Sequence, residues 1–472
     1  MNWYLFWIII YLLFIIYLTL KHVKAHDIEN YLVNSRKTKL IPLVFTTLAT
    51  FVGGGTSIGL MAMGYESGFA AIGIGIAYVI GFMIMIRYAG RIHQMGVKEK
   101  IYSFPHFLNL RYTRPHEDAR FSRMFSTMVT GVNVFIFFFL LAAQFVAMAS
   151  LLKFAFQMDY TIAAIISGIV IIGYTAAAGM AGVIITDMVQ FIIIVLMIIF
   201  IFIPGILTDT ENLHRLSELP ANMINGTAEG IAFLVALPLF LSWSVLVRMD
   251  IWQRVLAAKS DQVAKKMSFW SGIGMLPFYI IFPLVGMTIR ITHGDSIVSE
   301  DVTYLFLNDH SGTMILAFAV VGLLSALMSS GDSFLNIISI SAAKDFNGWK
   351  KKETSTANMQ RNIRIISVIF GVLALFIALS FPKVVDLMVV GISMIVIYTP
   401  ITLLALSKKN HYEYRYVAFW AILLAFIVNI TFFLLGIFLP EQFNAKSSFI
   451  PAFLVATIST LIGMAVVNKK RK

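Results

Sequence analysis

The chain contains repeated apolar stretches of about 20 residues or longer, enough for a helix to cross roughly 30 Å of hydrocarbon. Runs such as 191–204 are apolar at every position, whereas the strands of a membrane barrel alternate apolar and polar residues. Hydrophobic residues make up 59% of the chain and charged residues 13%, far from the composition of a soluble protein. Because only helices and closed barrels satisfy their backbone in lipid, the sequence predicts an all-α polytopic membrane protein.

We predict about thirteen transmembrane helices. The first has no basic region before it and no small-residue cleavage site after it, so we expect a retained helix rather than a signal peptide. The predicted spans lie near 3–20, 41–64, 69–89, 124–152, 160–178, 183–206, 230–252, 268–290, 312–343, 364–382, 385–406, 416–438 and 449–467.

The charged loops predict the orientation of these spans. With thirteen spans, nearly all basic loops and the basic tail fall on one side, and the opposite loops hold little beyond Arg215, Lys383 and Lys446. The basic side is therefore expected to be cytoplasmic, with the N-terminus outside and the C-terminus inside the cell membrane. The net charge of +12 then reflects topology, and we expect no nucleic-acid partner.

No loop is long enough to hold a soluble catalytic domain. The longest are 90–123, 207–229 and 291–311, no histidine lies in the middle of a predicted span, and the chain has no cysteine. We therefore expect a transporter rather than an intramembrane enzyme. A transporter-like sensor would carry a signalling domain, and only five residues follow Val467.

Three consecutive glycines, Gly53 to Gly55, interrupt the second predicted span. Each costs about 1 kcal/mol relative to alanine in a helix interior. A broken helix would free carbonyls for a cation, and Thr56 and Ser57 would satisfy other exposed backbone groups. Close helix packing is the alternative, but packing motifs usually space glycines four apart, so the run favours a break.

Two acidic residues lie in otherwise apolar spans. Ser329 neighbours Asp332 and Ser333 on the helix surface, and Ser330 also neighbours Ser333. Hard cations prefer oxygen ligands of this kind. Hydrogen bonding between helices would explain the serines but not the carboxylate. Asp187 opens the sixth span and either caps that helix or faces an ion path.

Arg248 and Asp250 lie within the seventh span, whereas we assign Arg254 to its cytoplasmic edge. Residues two apart do not face each other on a regular helix, so each needs its own partner or the helix is distorted. An inward arginine suits a carboxylate; the alternative is an arginine that snorkels to the interface.

Several other residues give weaker signals. Asn133, Gln144 and Tyr398 either line a cavity or form hydrogen bonds between helices. The phenylalanines of 135–139 are more typical of packing or lipid-facing surfaces than of a binding site.

Four segments together carry a family resemblance that covers roughly 30–440. The chain resembles the sodium:solute symporter family, which includes sodium-coupled proline, glucose, sialic acid and choline transporters. The glycine and serine–aspartate motifs are most similar to the choline-transporter branch. The segments are Phe51-Val52-Gly53-Gly54-Gly55, Thr186-Asp187-Met188-Val189-Gln190, Gln253-Arg254-Val255-Leu256-Ala257-Ala258-Lys259-Ser260 and Ala326-Leu327-Met328-Ser329-Ser330-Gly331-Asp332-Ser333.

The resemblance implies the leucine-transporter fold, with two inverted five-helix repeats whose first helices are broken. An extra helix and cytoplasmic loop would occupy 1–39, the first repeat 40–207, and an extracellular loop 208–229. The second repeat would occupy 230–407, and two further helices with the basic tail 408–472.

The resemblance also implies the ion sites. The common sodium site would use the carbonyls of Ala49, Val52 and Ala326 with the hydroxyls of Ser329 and Ser330. A second sodium site, found in some members, would draw on Asp187, Ser329, Ser330, Asp332 and Ser333.

The predicted substrate site departs from the choline branch. That branch holds a quaternary ammonium in an aromatic cage, but its two tryptophan positions correspond to Phe51 and Arg248 here. Because an arginine repels a cation, we expect a solute with a carboxylate or other anionic group. The predicted substrate-binding residues are Phe51, Gly53, Gly54, Gly55, Thr56, Phe137, Arg248 and Tyr398.

The resulting expectation is a monomer that imports a small solute with sodium by alternating access and needs no further cofactor. The alternative is a proton-coupled carrier that uses Asp187 or Asp332 as its proton site.

Overall fold

The structure is a computed structural model that describes residues 2–21, 28–176, 179–345, 356–408 and 410–469. Within these residues the regular structure is helical, apart from one isolated parallel bridge between Thr38 and Ala258. Short helices lie at Ile28–Val33 and Ala221–Ile224. The longer helices are α1 (Trp3–Lys21), α2 (Leu40–Phe51), α3 (Ile58–Ser67), α4 (Ala70–Lys98), α5 (Phe104–Tyr112), α6 (Ala119–Phe156), α7 (Tyr160–Thr175), α8 (Met180–Asp209), α9 (Ile231–Val247), α10 (Met249–Ala257), α11 (Asp261–His293), α12 (Val302–His310), α13 (Thr313–Asp345), α14 (Thr356–Ser380), α15 (Val384–Ser407), α16 (Arg415–Phe438) and α17 (Phe449–Lys469).

Among the described residues, ten helices are long and apolar enough to cross a membrane, or eleven if the bent pair α9 and α10 is one span. The apolar helices α2 and α7 are shorter than this limit. The all-α polytopic prediction is therefore confirmed. The count of thirteen spans stays a prediction.

The helices divide into a buried core and a periphery. The apolar part of α13 is 83% buried, whereas in α1, α14, α16 and α17 the buried share is only 17–28%. An apolar helix surface that no protein covers is stable in lipid, so the peripheral helices are suited to face the bilayer. The core helix α13 packs against α2, α6 and α8, which places its serine–aspartate face at the centre of the molecule.

The glycine run interrupts the second predicted span, as its sequence indicates. Helix α2 ends at Phe51, residues 52–57 form turns, and α3 begins at Ile58. The break is completed by Ser57, whose backbone torsion angles (φ −83°, ψ −84°) are not helical.

A second interruption separates α9 from α10. Their axes differ by 50°, and Arg248 between them has extended torsion angles (φ −73°, ψ 126°). This distortion, one of the two alternatives that the spacing left open, brings Arg248 into an ion pair with Asp250.

Candidate functional site

The last turn of α2 leaves carbonyl oxygens without backbone partners. The Gly54 amide donates to Gln144 Oε1 over 2.7 Å, and the amides of Thr56 and Ser57 both donate to the Gly53 carbonyl. In the described part of the chain, no backbone amide beyond the helix end donates to the carbonyl of Ala49 or Val52. These oxygens are thus available to another ligand.

The serine face of α13 lies directly against this helix end. Ser330 Oγ donates to the Thr50 carbonyl over 2.8 Å, and the hydroxyls of Thr50 and Ser333 are 3.1 Å apart. A Cβ on Gly53 would lie 2.2 Å from Ser330 Oγ, so the close approach requires glycine at this position. The broken helix and the serine face therefore converge.

Asp187 lies two turns inside α8 and is fully buried. Ser329 donates to one of its carboxylate oxygens over 2.5 Å, and the hydroxyl of Thr46 donates to the other. The helix-capping alternative for Asp187 is wrong, because its partners belong to α2 and α13 instead of the first turn of α8.

Arg254, which the sequence places at the cytoplasmic edge of its span, is buried inside the protein. Its side chain is 1% exposed and its Nη2 lies 3.6 Å from Asp187 Oδ2. The same nitrogen donates to the hydroxyls of Thr46, Thr50 and Ser333 over 3.2, 2.7 and 2.9 Å. Sequence analysis missed Arg254, Thr46 and Thr50 as parts of one network. Thr46 and Thr50 are four residues apart and therefore lie on one helix face. This spacing was the signal in the sequence that could have indicated the network.

The residues proposed for a second sodium ion are distributed over separate contacts. Asp187 bonds with Ser329, and Ser333 bonds with Thr50 and Arg254. Asp332 accepts a hydrogen bond from Tyr174 over 3.0 Å, and its other oxygen has no hydrogen-bond partner among the described residues.

A cavity with about 940 Å³ of empty space, including its opening, begins at the break between α2 and α3. It runs past the faces of α9 and α15 to Lys446 and Phe449, which precede and begin α17. Its lining is mostly apolar with few polar groups, as is usual for a small-molecule site. Its lining residues include Thr50, Phe51, Gly53, Gly55, Thr56, Tyr78, Gln144, Arg248, Tyr279, Ser330, Phe334, Val389 and Lys446.

Arg248 lines this cavity. Its Nη2 and Nε bind Asp250 at 2.5 and 3.0 Å, and its guanidinium lies over the Phe51 ring, 4.1 Å from the centroid. The residue is 4% exposed, so the snorkelling alternative is wrong. Because Asp250 engages only the Nε and Nη2 edge, the Nη1 edge lies outside this ion pair.

The structure brings together five of the eight predicted substrate-binding residues: Phe51, Gly53, Gly55, Thr56 and Arg248 line the cavity. The other three do not line it. The Gly54 amide is directed to Gln144, Phe137 packs behind Phe334 with ring centroids 5.7 Å apart, and the Tyr398 hydroxyl donates to the Val129 carbonyl. Gln144, which the sequence left undecided, does line the cavity.

The opposite end of the core is closed. Trp252 on α10 is buried against Phe104 and Phe107 of α5. Arg36 donates to the carbonyls of Leu256 and Ile101 over 3.1 and 2.9 Å, which ties the chain before α2 to the end of α10. None of these residues lines the cavity.

Among the described residues, no group of three or more His, Cys, Asp or Glu side chains forms a metal-binding cluster. Carbonyl and hydroxyl oxygens, which hard cations accept as ligands, are the groups that this site offers instead.

The comparisons with known proteins agree with this architecture. The chain is 24% identical to the sodium/proline symporter of Staphylococcus aureus over 401 residues, which cover 80% of this chain and 75% of that protein. A Na+-coupled sialic acid symporter in a substrate-bound outward-open state has the same fold, with a TM-score of 0.74 at 16% identity over 97% of this chain and 96% of that one. Mhp1, a nucleobase-cation-symport-1 family transporter in a closed conformation with bromovinylhydantoin bound, gives a TM-score of 0.58 at 13% identity over 95% and 96% of the chains.

A model of the sodium:solute symporter family matches residues 31–424, which include the break after α2, the bend at Arg248 and the serine–aspartate face of α13. The protein is a multi-pass membrane transporter and not an enzyme, and the chain belongs to the sodium:solute symporter family.

Proposed function

We propose that this protein imports a small organic solute bearing a carboxylate together with sodium, by alternating access. Sodium-coupled solute import follows from membership of the family. The anionic substrate rests on one observation above all: a buried arginine, Arg248, lines the cavity and lies over Phe51 at the end of the broken helix.

The coupling ion would bind where α2 meets α13. Its ligands would be the carbonyls of Ala49, Val52 and Ala326 and the hydroxyls of Ser329 and Ser330. The unpaired carbonyls at the end of α2 support this site, as does the contact of Ser330 with the neighbouring carbonyl of Thr50. A bound ion would hold the broken end of α2 against α13 and thereby shape the adjacent substrate cavity.

Asp187, Asp332 and Ser333 remain the proposed ligands of a second ion. Two features of this conformation make these three residues less suited to bind an ion. The side chain of Asp332 hydrogen-bonds to Tyr174 and to neither of the other two side chains, and the guanidinium of Arg254 already lies against both Asp187 and Ser333. We therefore place the coupling ion at the first site.

The two interrupted helices support an inverted-repeat organisation of 40–207 and 230–407. The break between α2 and α3 and the bend between α9 and α10 each fall in the first span of a proposed repeat.

With thirteen spans and the basic loops inside, the cavity opens to the outside and the closed end faces the cytoplasm. A single chain contains every proposed ligand, so a monomer is sufficient.

The chemistry of the cavity matches a carboxylate with an apolar body. An arginine fork donates paired hydrogen bonds to a carboxylate, and Arg248 keeps its Nη1 edge outside the pair with Asp250. The remaining walls are mostly apolar. Proline and sialic acid, the solutes named for two relatives, both contain a carboxylate.

Uptake into proteoliposomes tests the proposal. Purified protein is given small carboxylates or their uncharged amides under an inward gradient of sodium or of potassium. We expect uptake of a carboxylate, but not of its amide, and only with sodium. Uptake that persists without sodium and follows pH would show proton coupling instead.

Arg248→Ala tests the substrate group specifically, and we expect it to abolish carboxylate uptake. Arg290→Ala is the matched control, because Arg290 also lies over an aromatic ring, that of Tyr65, but does not line the cavity. Normal carboxylate uptake by Arg248→Ala would overturn the anionic substrate.

A further inference from the structure

A groove separate from the transport cavity runs between the start of α6 and the face of α16. It holds about 1130 Å³ of empty space, including its opening to solvent, and Met124, Met128, Phe419 and Leu423 form most of its wall. Arg120 and Arg123 line it as well, one turn or less from the beginning of α6. The groove therefore combines an apolar wall with two positive charges near the helix end, which the loop charges place on the cytoplasmic side.

A second, more polar cavity of about 1330 Å³ adjoins this groove. Ala119 and Arg123 line both spaces, so the guanidinium of Arg123 lies where they meet. The second cavity is bounded by α5 and by the end of α13, which contributes Lys344 and Asp345. An elongated ligand with one polar and one apolar end would thus contact both spaces at once.

The polar cavity contains buried atoms that lack partners. Asn109 is 8% exposed; its amide nitrogen donates to Ser126 over 2.9 Å, but its Oδ1 has no hydrogen bond in the described part of the chain. Nδ1 of His106 is likewise buried without a partner there. Burial, together with the charge of Lys344, lowers the pKa of His106 to about 4, so its imidazole is neutral at pH 7. Buried polar atoms without partners are costly, and a hydroxyl group of a ligand would satisfy them.

The charges around the two spaces favour an anion. Neither Arg120 nor Arg123 forms an ion pair with any residue that the structure describes. Lys344 lies over the ring of Tyr102, 3.6 Å from the centroid. The one carboxylate that lines the polar cavity, that of Asp345, accepts hydrogen bonds from Ser103 over 2.9 and 3.0 Å.

We propose that these two spaces form a binding site for an anionic phospholipid with a hydroxylated headgroup, such as phosphatidylglycerol. An acyl chain would lie along the methionine wall of the groove, and the phosphate between Arg120 and Arg123. The glycerol hydroxyls would reach Asn109 and His106. A free phosphate would use the arginines but leave the apolar groove empty, which is why the groove points to a lipid. Bound lipid would connect α5, α6 and α16 on the side where the core is closed.

Lipid binding to the full-length protein in an uncharged detergent tests this site by native mass spectrometry. Dioleoyl-phosphatidylglycerol is compared with dioleoyl-phosphatidylmethanol, which has the same charge but no headgroup hydroxyl, with dioleoyl-phosphatidylcholine and with inorganic phosphate. We expect phosphatidylglycerol to bind more tightly than phosphatidylmethanol, and both more tightly than phosphatidylcholine. Equal affinity for phosphatidylglycerol and phosphatidylcholine, or equally tight binding of inorganic phosphate, would overturn the site. Equal affinity for the two anionic lipids would overturn the headgroup contacts.

Variants locate the site on the surface. Replacing Arg120 and Arg123 by Gln is expected to weaken phosphatidylglycerol binding roughly fivefold per arginine, and Thr127→Trp to weaken it by filling the groove. The matched control replaces Arg87 and Arg91 by Gln, two exposed arginines of α4 that line neither space. An equal loss in this control would show diffuse attraction to the basic surface and contradict a defined site.

Discussion

Arg254 is the residue on which the contacts of the candidate ion site converge. Its guanidinium joins hydroxyls from α2 and α13 to the carboxylate of Asp187 on α8, with every partner buried. Removing one partner of a buried ion pair leaves an uncompensated charge, whereas removing both can be nearly neutral. The network is therefore expected to hold four helices, α2, α8, α10 and α13, together in addition to any role in ion binding.

Arg254→Leu should lower the free energy of unfolding by about 3–5 kcal/mol, because it leaves Asp187 charged and buried. The double variant with Asp187→Asn should recover much of this loss. Thermal unfolding of the purified protein measures both. Arg290→Leu, which removes a half-buried arginine outside the network, is the control. An unchanged unfolding temperature in Arg254→Leu would contradict the proposed role of the pair.

Ser330→Ala should raise the sodium concentration needed for half-maximal uptake by about tenfold, the effect of losing one hydroxyl ligand worth roughly 1–1.5 kcal/mol. Sodium titration of solute uptake measures it. Ser339→Ala on the same helix also loses a buried hydroxyl, which bonds to Leu335 and Ser367, and should leave the titration unchanged. Indistinguishable titrations for the two variants would exclude Ser330 as an ion ligand.

At the level of the helices, the break between α2 and α3 depends on contact with α13 as well as on glycine content. A Cβ on Gly53 would lie 2.2 Å from Oγ and 2.6 Å from Cβ of Ser330, closer than real Cβ contacts. The low helix propensity of glycine reduces the free-energy cost of interrupting the helix. The packing of α13 leaves no room for a larger residue at position 53.

Gly53→Ala should therefore push α2 away from α13 and abolish sodium-dependent uptake, even where the protein reaches the membrane in normal amounts. Transport assays normalised to the amount of protein in the membrane measure this effect. In the control Gly131→Ala, the added Cβ meets nothing within 4 Å, and uptake should be retained. Full activity in Gly53→Ala would show that the two helices do not need this close approach.

For the whole molecule, the proposed orientation opens the cavity to the outside and closes the core on the cytoplasmic side. The chain has no cysteine, so single cysteines can report on each end without removing native ones. Val389 on α15 lines the cavity, and Val255 on α10 is fully buried near the closed end. These two valines form a matched pair for labelling.

Val389→Cys should react with a membrane-impermeant maleimide added outside the cell, and transported solute with sodium should slow the reaction. Val255→Cys should stay unlabelled under the same conditions, because the structure closes that end. Mass spectrometry of the purified protein measures the labelled fraction. Reaction of Val389→Cys only from the cytoplasmic side would reverse the predicted orientation.

Local features were predictable from the sequence. Apolar length predicted a polytopic helical protein, three glycines predicted the interruption after Phe51, and the spacing of Ser329, Ser330 and Ser333 predicted a polar helix face. Each depends on propensity or on helical periodicity, which neighbouring residues decide.

Contacts between helices distant in sequence were decided only by the tertiary structure. The hydrogen bond from Thr46 to Asp187 joins residues 141 positions apart, and that from Arg254 to Thr50 joins residues 204 apart. No local pattern shows which helices cross at which height, so the contact of Arg254 with Asp187 was missed and Tyr398 was expected in the cavity. The sequence determined which groups are too polar for lipid, and the packing of the helices determined which of these groups meet.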